Sequence, residues 1–193
     1  MQQFPESDLI FEFPADWRVR QFDTTAAYKS VSGRGLKGVD FIAISPNEEL
    51  WLIEVKNYRP RRKGDKEYRA RRRPPDELAR LMAGKFHDSF RLINVVNGYL
   101  QKSWWRRVQL WFRLHVKSNP ASNYQFWHSV HNLASGGLAP IHCVLWMETP
   151  ESKDDYDHRV YTELRSLLPQ TQNVIVAETD APRGLPFRAN LPT

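Results

Sequence analysis

Two apolar runs separated by only five residues are the feature that most constrains the fold of this chain. Residues 39–44 and 50–56 are rich in β-branched and aliphatic side chains, and the segment between them contains Pro46 and Asn47. This pattern predicts a β-hairpin with a five-residue loop. Both faces of its strands are largely apolar, so we expect the hairpin to lie in the interior of a sheet rather than half exposed.

The register of this hairpin predicts a cluster of charge. If the hairpin is symmetric about Asn47, Asp40 lies directly opposite Glu54, with the two Cβ atoms about 5 Å apart. Lys56 lies two positions beyond Glu54 and therefore projects from the same face of the sheet. Two carboxylates at this separation repel each other, and their burial is unfavourable unless a cation compensates them. A divalent metal ion with oxygen ligands would compensate both charges, whereas Lys56 alone would compensate one.

The same residues form a recognisable motif. Gly38-Val39-Asp40, a spacer and then Ile53-Glu54-Val55-Lys56 resemble the PD-(D/E)xK nuclease superfamily, and the resemblance covers mainly residues 33–58. It implies a restriction-endonuclease-like fold and the hydrolysis of phosphodiester bonds, with DNA as the favoured substrate.

The resemblance also implies a role for each site residue. Asp40 and Glu54 would hold Mg²⁺ or Mn²⁺, and the carbonyl group of Val55 would add a ligand. Lys56 would orient the attacking water or help to deprotonate it, and would stabilise the charge that develops on the phosphate.

Two features depart from the family pattern. Val39 stands where proline is usual, and no clear amphipathic helix before Asp40 supplies the acidic residue that many members carry there. Glu12 and Asp23 are the candidates for this further metal ligand. Asp23 is preferred, because it follows directly on a predicted strand over residues 17–22.

A dense basic segment follows the hairpin. The chain carries a net charge of +6, and residues 59–73 contain nine arginines and lysines against Asp65 and Glu67. Such a density suits binding to a nucleic-acid backbone, and the alternative is a solvated loop that only aids solubility. The predicted nucleic-acid-binding residues are Arg59, Arg61, Arg62, Lys63, Lys66, Arg69, Arg71, Arg72 and Arg73.

The rest of the chain predicts one α/β domain over residues 1–193, built as an α+β mixed sheet flanked by helices. Residues 59–73 form an insertion in it, and the tail from Ala181 is irregular. Lys85 lies at the edge of the apolar stripe of a long helix. Its side chain either leans toward the site or extends to solvent, and the second alternative is favoured. The predicted strands are 9–13, 17–22, 108–116, 141–147 and 173–178, and the predicted helices are 78–100, 123–133 and 154–168.

Several other classes of function are disfavoured. A single cysteine, Cys143, excludes an internal disulfide and cysteine-based zinc sites, and its apolar surroundings favour a packing role. His128 and His131 have a spacing that can hold a metal but lack a third ligand nearby in sequence. No apolar run is long enough to span a bilayer and the first residues lack an export signal, so a cytoplasmic protein without membrane contact is expected.

The leading hypothesis is therefore a Mg²⁺- or Mn²⁺-dependent nuclease that acts on DNA. The alternative is an inactive module of the same fold that binds nucleic acid or a partner protein in a defence or repair assembly. A partner protein or a homodimer is compatible with both hypotheses. Trp104 and Trp105, followed by two arginines, fit either stacking on unpaired bases or packing in the core. A third possibility is a structural protein whose basic loop is merely solvated.

Overall fold

The computed structural model describes residues 1–25, 28–29, 35–63, 66–68, 71–100, 122–137, 139–149, 154–169 and 172–191, with only the backbone for residues 61–63, 66–68, 100 and 154. Ten strands are described: β1 (Gln2–Glu6), β2 (Leu9–Phe13), β3 (Arg18–Gln21), β4 (Phe41–Ile44), β5 (Leu50–Asn57), β6 (Arg61–Lys63), β7 (Lys66–Tyr68), β8 (Ile141–Glu148), β9 (Gln172–Ala177) and β10 (Arg188–Asn190). The described helices are α1 (Pro75–Leu100), α2 (Asn123–Gly136) and α3 (Asp154–Leu167).

A mixed five-stranded sheet forms the centre of the molecule, in the order β3-β4-β5-β8-β9. Strands β3, β4 and β5 are antiparallel, whereas β5, β8 and β9 are parallel. The β4–β5 hairpin pairs Phe41 with Ile53 and Ile44 with Leu50, which is the predicted register about Asn47. The hairpin therefore contributes the second and third strands, and the prediction that it lies inside a sheet is confirmed.

The two faces of this sheet are covered differently. All three described helices pack on one face, against side chains such as Ile42, Leu52 and Leu145. The other face is covered by a small sheet in the order β1-β2-β10. Aromatic rings fill the space between the two sheets: Phe11, Phe13, Trp17, Phe41, Trp51, Trp146 and Phe187. The mixed sheet of the prediction is confirmed, but helices flank it on one side only in the described part of the chain.

Local signals account for the ends of the helices. Ser122 caps α2, because its hydroxyl accepts a hydrogen bond from the backbone N–H of Gln125. Gly137 ends the same helix with φ +66°, a conformation that costs glycine little. The long helix α1 follows Pro74 and carries Asp76 and Glu77 in its first turn, where negative charge is favourable. None of the described helices has both the length and the apolar character needed to cross a bilayer.

Three features of the local structure differ from the prediction. Strand β1 was not predicted, and it lies at the edge of the small sheet, where its Pro5 is tolerated. The tail predicted as irregular contains β10, which pairs with β2. The basic segment contains the β6–β7 hairpin rather than a plain loop. The predicted strand over 108–116 and the residues Trp104 and Trp105 lie outside the described residues.

Candidate active site

The β4–β5 hairpin brings Asp40 to the strand that carries Glu54. Asp40 immediately precedes β4, and its main-chain oxygen accepts a hydrogen bond from the N–H of Phe22 at 2.7 Å. Its carboxylate oxygen Oδ2 accepts a second one from the N–H of Val55, also at 2.7 Å. The carboxylate is thus fixed beside the strand interior rather than extended into solvent. The predicted approach of Asp40 to Glu54 is confirmed.

Glu54 is fully buried on the face of the sheet that packs against the helices. Its oxygen Oε1 accepts hydrogen bonds from the ammonium groups of Lys56 at 2.5 Å and Lys85 at 2.7 Å. Its other oxygen, Oε2, has no hydrogen-bond partner among the described residues. A buried carboxylate oxygen without a donor is unfavourable, and such an atom in a native protein needs an explanation.

The electrostatics of Asp40 reflect this crowding. Burial and, to a smaller extent, the nearby charge of Glu54 raise the pKa of Asp40 from its ordinary 3.8 to about 6. Lys85, the N–H of Val55 and Lys56 act in the opposite direction but do not cancel the rise. A buried acid whose pKa is raised beside a second carboxylate is typical of sites that bind a cation or transfer a proton.

Lys85 was predicted to favour solvent, but the structure places its ammonium group on Glu54. Burial opposes the charge of this lysine, yet the carboxylates of Glu54 and Asp40 outweigh it and raise the pKa of Lys85. The buried hydroxyl of Ser89, one turn along α1, donates to the carbonyl of Lys85 and accepts from the N–H of Val39, each at 2.9 Å. Ser89 thereby ties the helix to the entry of β4, a connection that no sequence pattern indicated.

The two sequence candidates for a further acidic ligand lie in different surroundings. Glu12 forms an ion pair with Arg188 at 2.6 Å on the small sheet. Asp23 is exposed, and its role as a metal ligand stays a prediction. The acid beside the site is Glu6, whose pKa is raised by burial and then by the charges of Asp40 and Asp23.

Long-range contacts bring Glu6 there. Glu6 ends β1, and the amide of Asn57 donates to the carbonyl of Ser7 in the following turn at 2.8 Å.

In the described residues, no three acidic, histidine or cysteine side chains are grouped closely enough to hold a metal ion by themselves. A metal at this site would therefore rely on Asp40, Glu54 and oxygen atoms from the backbone, water or substrate. The Val55 carbonyl, predicted as one such ligand, accepts from the ammonium group of Lys56 at 3.3 Å.

The basic segment is fixed at its beginning by a buried ion pair. Glu148 is fully buried at the end of β8, and Arg59 donates to its Oε2 from Nε at 2.9 Å and from Nη2 at 2.7 Å. Burial opposes the charge on Glu148, but hydrogen bonds from Thr179 and Trp146 and the charge of Arg59 outweigh it and lower the pKa. Arg59 therefore anchors the segment, because two nitrogen atoms of its guanidinium group contact Glu148.

The other end of the basic segment lines a cavity. The guanidinium group of Arg72 lies over the ring of Tyr156 at 4.7 Å, and the hydroxyl of Tyr156 donates to the carbonyl of Arg73 at 2.7 Å. The cavity is lined by Arg71, Arg72, Arg73, Pro74, Glu77 and Tyr156. The pKa of the nearby Tyr58 is raised to about 12, mainly by burial, and the charges of Arg73, Arg72 and Glu54 also act on it.

The remaining predicted residues are distributed as follows. Arg61, Arg62, Lys63 and Lys66 belong to the β6–β7 hairpin, and Arg69 lies outside the described residues. Cys143 is buried and its pKa is raised to about 12, so the thiol stays protonated and packs in the core.

Comparisons of the chain with protein-family models, with curated proteins and with solved structures found no match.

Proposed function

We propose that the chain is a Mg²⁺- or Mn²⁺-dependent nuclease that hydrolyses phosphodiester bonds, with DNA as the favoured substrate. The observation that carries the proposal is the fully buried Glu54, which has one oxygen without a donor and lies beside a second acid, Asp40. A purely structural carboxylate would be expected to have both oxygens satisfied.

The two acids fit a hard divalent cation. Such an ion takes oxygen ligands and keeps water in its remaining positions, so two protein carboxylates are sufficient when substrate phosphate supplies more. When bound, the ion would polarise the phosphate and lower the pKa of a bound water. Lys56 would hold the attacking water or the developing charge, as the resemblance to the PD-(D/E)xK superfamily implies.

Positive charge near the site supports a nucleic-acid substrate. Arg71, Arg72 and Arg73 line the cavity beside Tyr156, and the β6–β7 hairpin adds further arginines and lysines. The charges of Arg72, Arg73 and Glu54 all act on Tyr58, so a phosphate backbone bound in this cavity would lie near the candidate site. Such contacts position the substrate without reading its sequence.

Cleavage of supercoiled plasmid DNA with Mn²⁺ tests the proposal. We expect Asp40→Ala, Glu54→Ala and Lys56→Ala each to lower the rate by at least about a hundredfold, because each removes a charge needed in the transition state. Glu163→Ala removes an exposed acid of α3 and serves as the matched control, with unchanged cleavage. Full activity of the folded Glu54→Ala protein would contradict the assignment.

One observation favours a second function, an inactive module that binds nucleic acid or a partner protein. The charges of Asp40 and Glu54 are opposed by two lysines, so the cluster is close to neutral without any metal. Calorimetric titration with Mn²⁺ separates the two functions. Binding that is lost in Asp40→Ala supports the nuclease, whereas no binding to either protein supports the module.

A further inference from the structure

Lys85 reaches the candidate site from a different element than the other charged residues. Asp40, Glu54 and Lys56 belong to the β4–β5 hairpin, whereas Lys85 belongs to α1. Its ammonium group and that of Lys56 share the single oxygen Oε1 of Glu54. Two cations on one oxygen leave the second oxygen of the same carboxylate without a donor. Because both ammonium groups contact one oxygen of Glu54, we reason that a divalent cation can replace one of them at this carboxylate.

Lys85 is the candidate for displacement. The ammonium group of Lys56 is held in place by a second contact, with the carbonyl of Val55 at 3.3 Å, and the proposed function gives it a role at the attacking water. The side chain of Lys85 is 22% exposed, somewhat less than the 29% of Lys56, and a long flexible lysine at this depth can still turn its ammonium group toward water. Its backbone does not need to move, because Ser89 holds this turn of α1 against the strand.

We propose that Lys85 is a positioning residue that competes with a divalent cation for the charge of the Glu54 carboxylate and so sets the metal affinity of the site. The inference rests on the proposed function, since it requires that Asp40 and Glu54 bind a metal. In the metal-free protein Lys85 compensates the buried charge of Glu54 and prevents two acids from facing each other uncompensated. When a divalent cation binds, the ammonium group of Lys85 moves away, because like charges at a few ångströms repel.

Mn²⁺ affinity, measured by calorimetry or by electron paramagnetic resonance on the full chain, tests the proposal. We expect Lys85→Met to bind Mn²⁺ about tenfold more tightly than wild type, because a unit charge next to the ion is removed. Lys85→Arg keeps the charge and should bind like wild type. Arg80→Met makes the same change in net charge on the same helix, at a side chain that is 72% exposed, and should also leave the affinity unchanged.

The outcomes distinguish this inference from the proposed function. If Asp40→Ala abolishes Mn²⁺ binding while Lys85→Met binds like wild type or more weakly, only the role of Lys85 is overturned. If the wild-type protein binds no Mn²⁺, both are overturned. Melting by circular dichroism establishes that each variant is folded.

A measurement on the wild-type protein needs no variant. Nuclear magnetic resonance of ¹⁵N-labelled lysine side chains follows the ammonium group of Lys85 during titration with Mg²⁺. As the metal binds, we expect the chemical shift of the Lys85 ammonium group to move away from that of a hydrogen-bonded ammonium, and its protons to exchange faster with water. A Lys85 signal that stays unchanged at saturating Mg²⁺ would overturn the proposal.

Discussion

Two buried glutamates on neighbouring parallel strands show how a structural carboxylate differs from a candidate functional one. Glu54 on β5 and Glu148 on β8 are both completely buried, toward the same end of the sheet. They lie on opposite faces, since Leu52 and Met147 pack under the helices while Val55 and Trp146 pack under the small sheet. The same residue type in one sheet therefore meets two different environments.

The difference lies in how each carboxylate is satisfied. Glu148 accepts from Trp146 and twice from Thr179 on Oε1, and twice from Arg59 on Oε2. Glu54 receives both of its donors on one oxygen and has none on the other. A fully satisfied carboxylate stabilises the fold, whereas an unevenly satisfied one beside a second acid is suited to bind something that is not part of the chain.

The largest expected effect is on stability, and it directly tests the difference between Glu54 and Glu148. Glu148→Gln should lower the free energy of unfolding by about 3 kcal/mol or more, because it leaves Arg59 without its buried counter-charge. Glu54→Gln should cost much less in metal-free buffer, because losing the charge also removes the repulsion of Asp40. Urea unfolding of the two variants at pH 7 measures both values. Equal losses would show that the two carboxylates play the same structural role.

The next effect concerns the pH dependence of stability. The pKa of Asp40 in the folded protein, about 6, lies above its ordinary 3.8, so the folded state binds this proton more tightly than the unfolded chain does. The resulting stabilisation is complete below about pH 4 and is lost as the pH rises through 6. Asp40→Asn should remove this component. Other groups titrate in the same range, so unfolding is compared between wild type and Asp40→Asn at each pH, and parallel curves would contradict the prediction.

The hairpin and its charges could be predicted from sequence because they depend on local rules. A five-residue loop fixes the register, and the register alone places Asp40, Glu54 and Lys56 on one face. Helix α1 was predictable for the same reason, from its apolar spacing.

The second lysine and the neighbouring acid could not be predicted because they depend on long-range packing. Lys85 reaches Glu54 only after α1 docks in one orientation, which the buried Ser89 helps to fix. Glu6 approaches Asp40 because the β1–β2 hairpin folds over the end of β5, through a contact between Asn57 and Ser7 fifty residues apart in sequence. No periodicity within either segment carries this information.

In the basic segment too, the sequence indicated the charge but not the position of each side chain. Its density of arginine and lysine was visible in the sequence, and this alone suggested binding to phosphate. The pairing of Arg59 with Glu148 was not visible, since the partner lies 89 residues away. Arginines of one cluster therefore divide into those that hold the protein together and those that remain at the surface.

The smallest expected effect tests that division with two arginines. Arg71 is exposed and lines the cavity, whereas Arg59 donates to Glu148. Arg71→Ala should reduce the slope of log affinity for DNA against log salt by about 1 and leave stability unchanged, as expected for one lost phosphate contact. Arg59→Ala should instead lower stability, because Glu148 keeps its buried charge without its cation, while the slope changes little. Fluorescence anisotropy of labelled DNA at several salt concentrations measures the slopes. A larger change of slope for Arg59→Ala than for Arg71→Ala would contradict the prediction, because it would mean that DNA binds near Arg59.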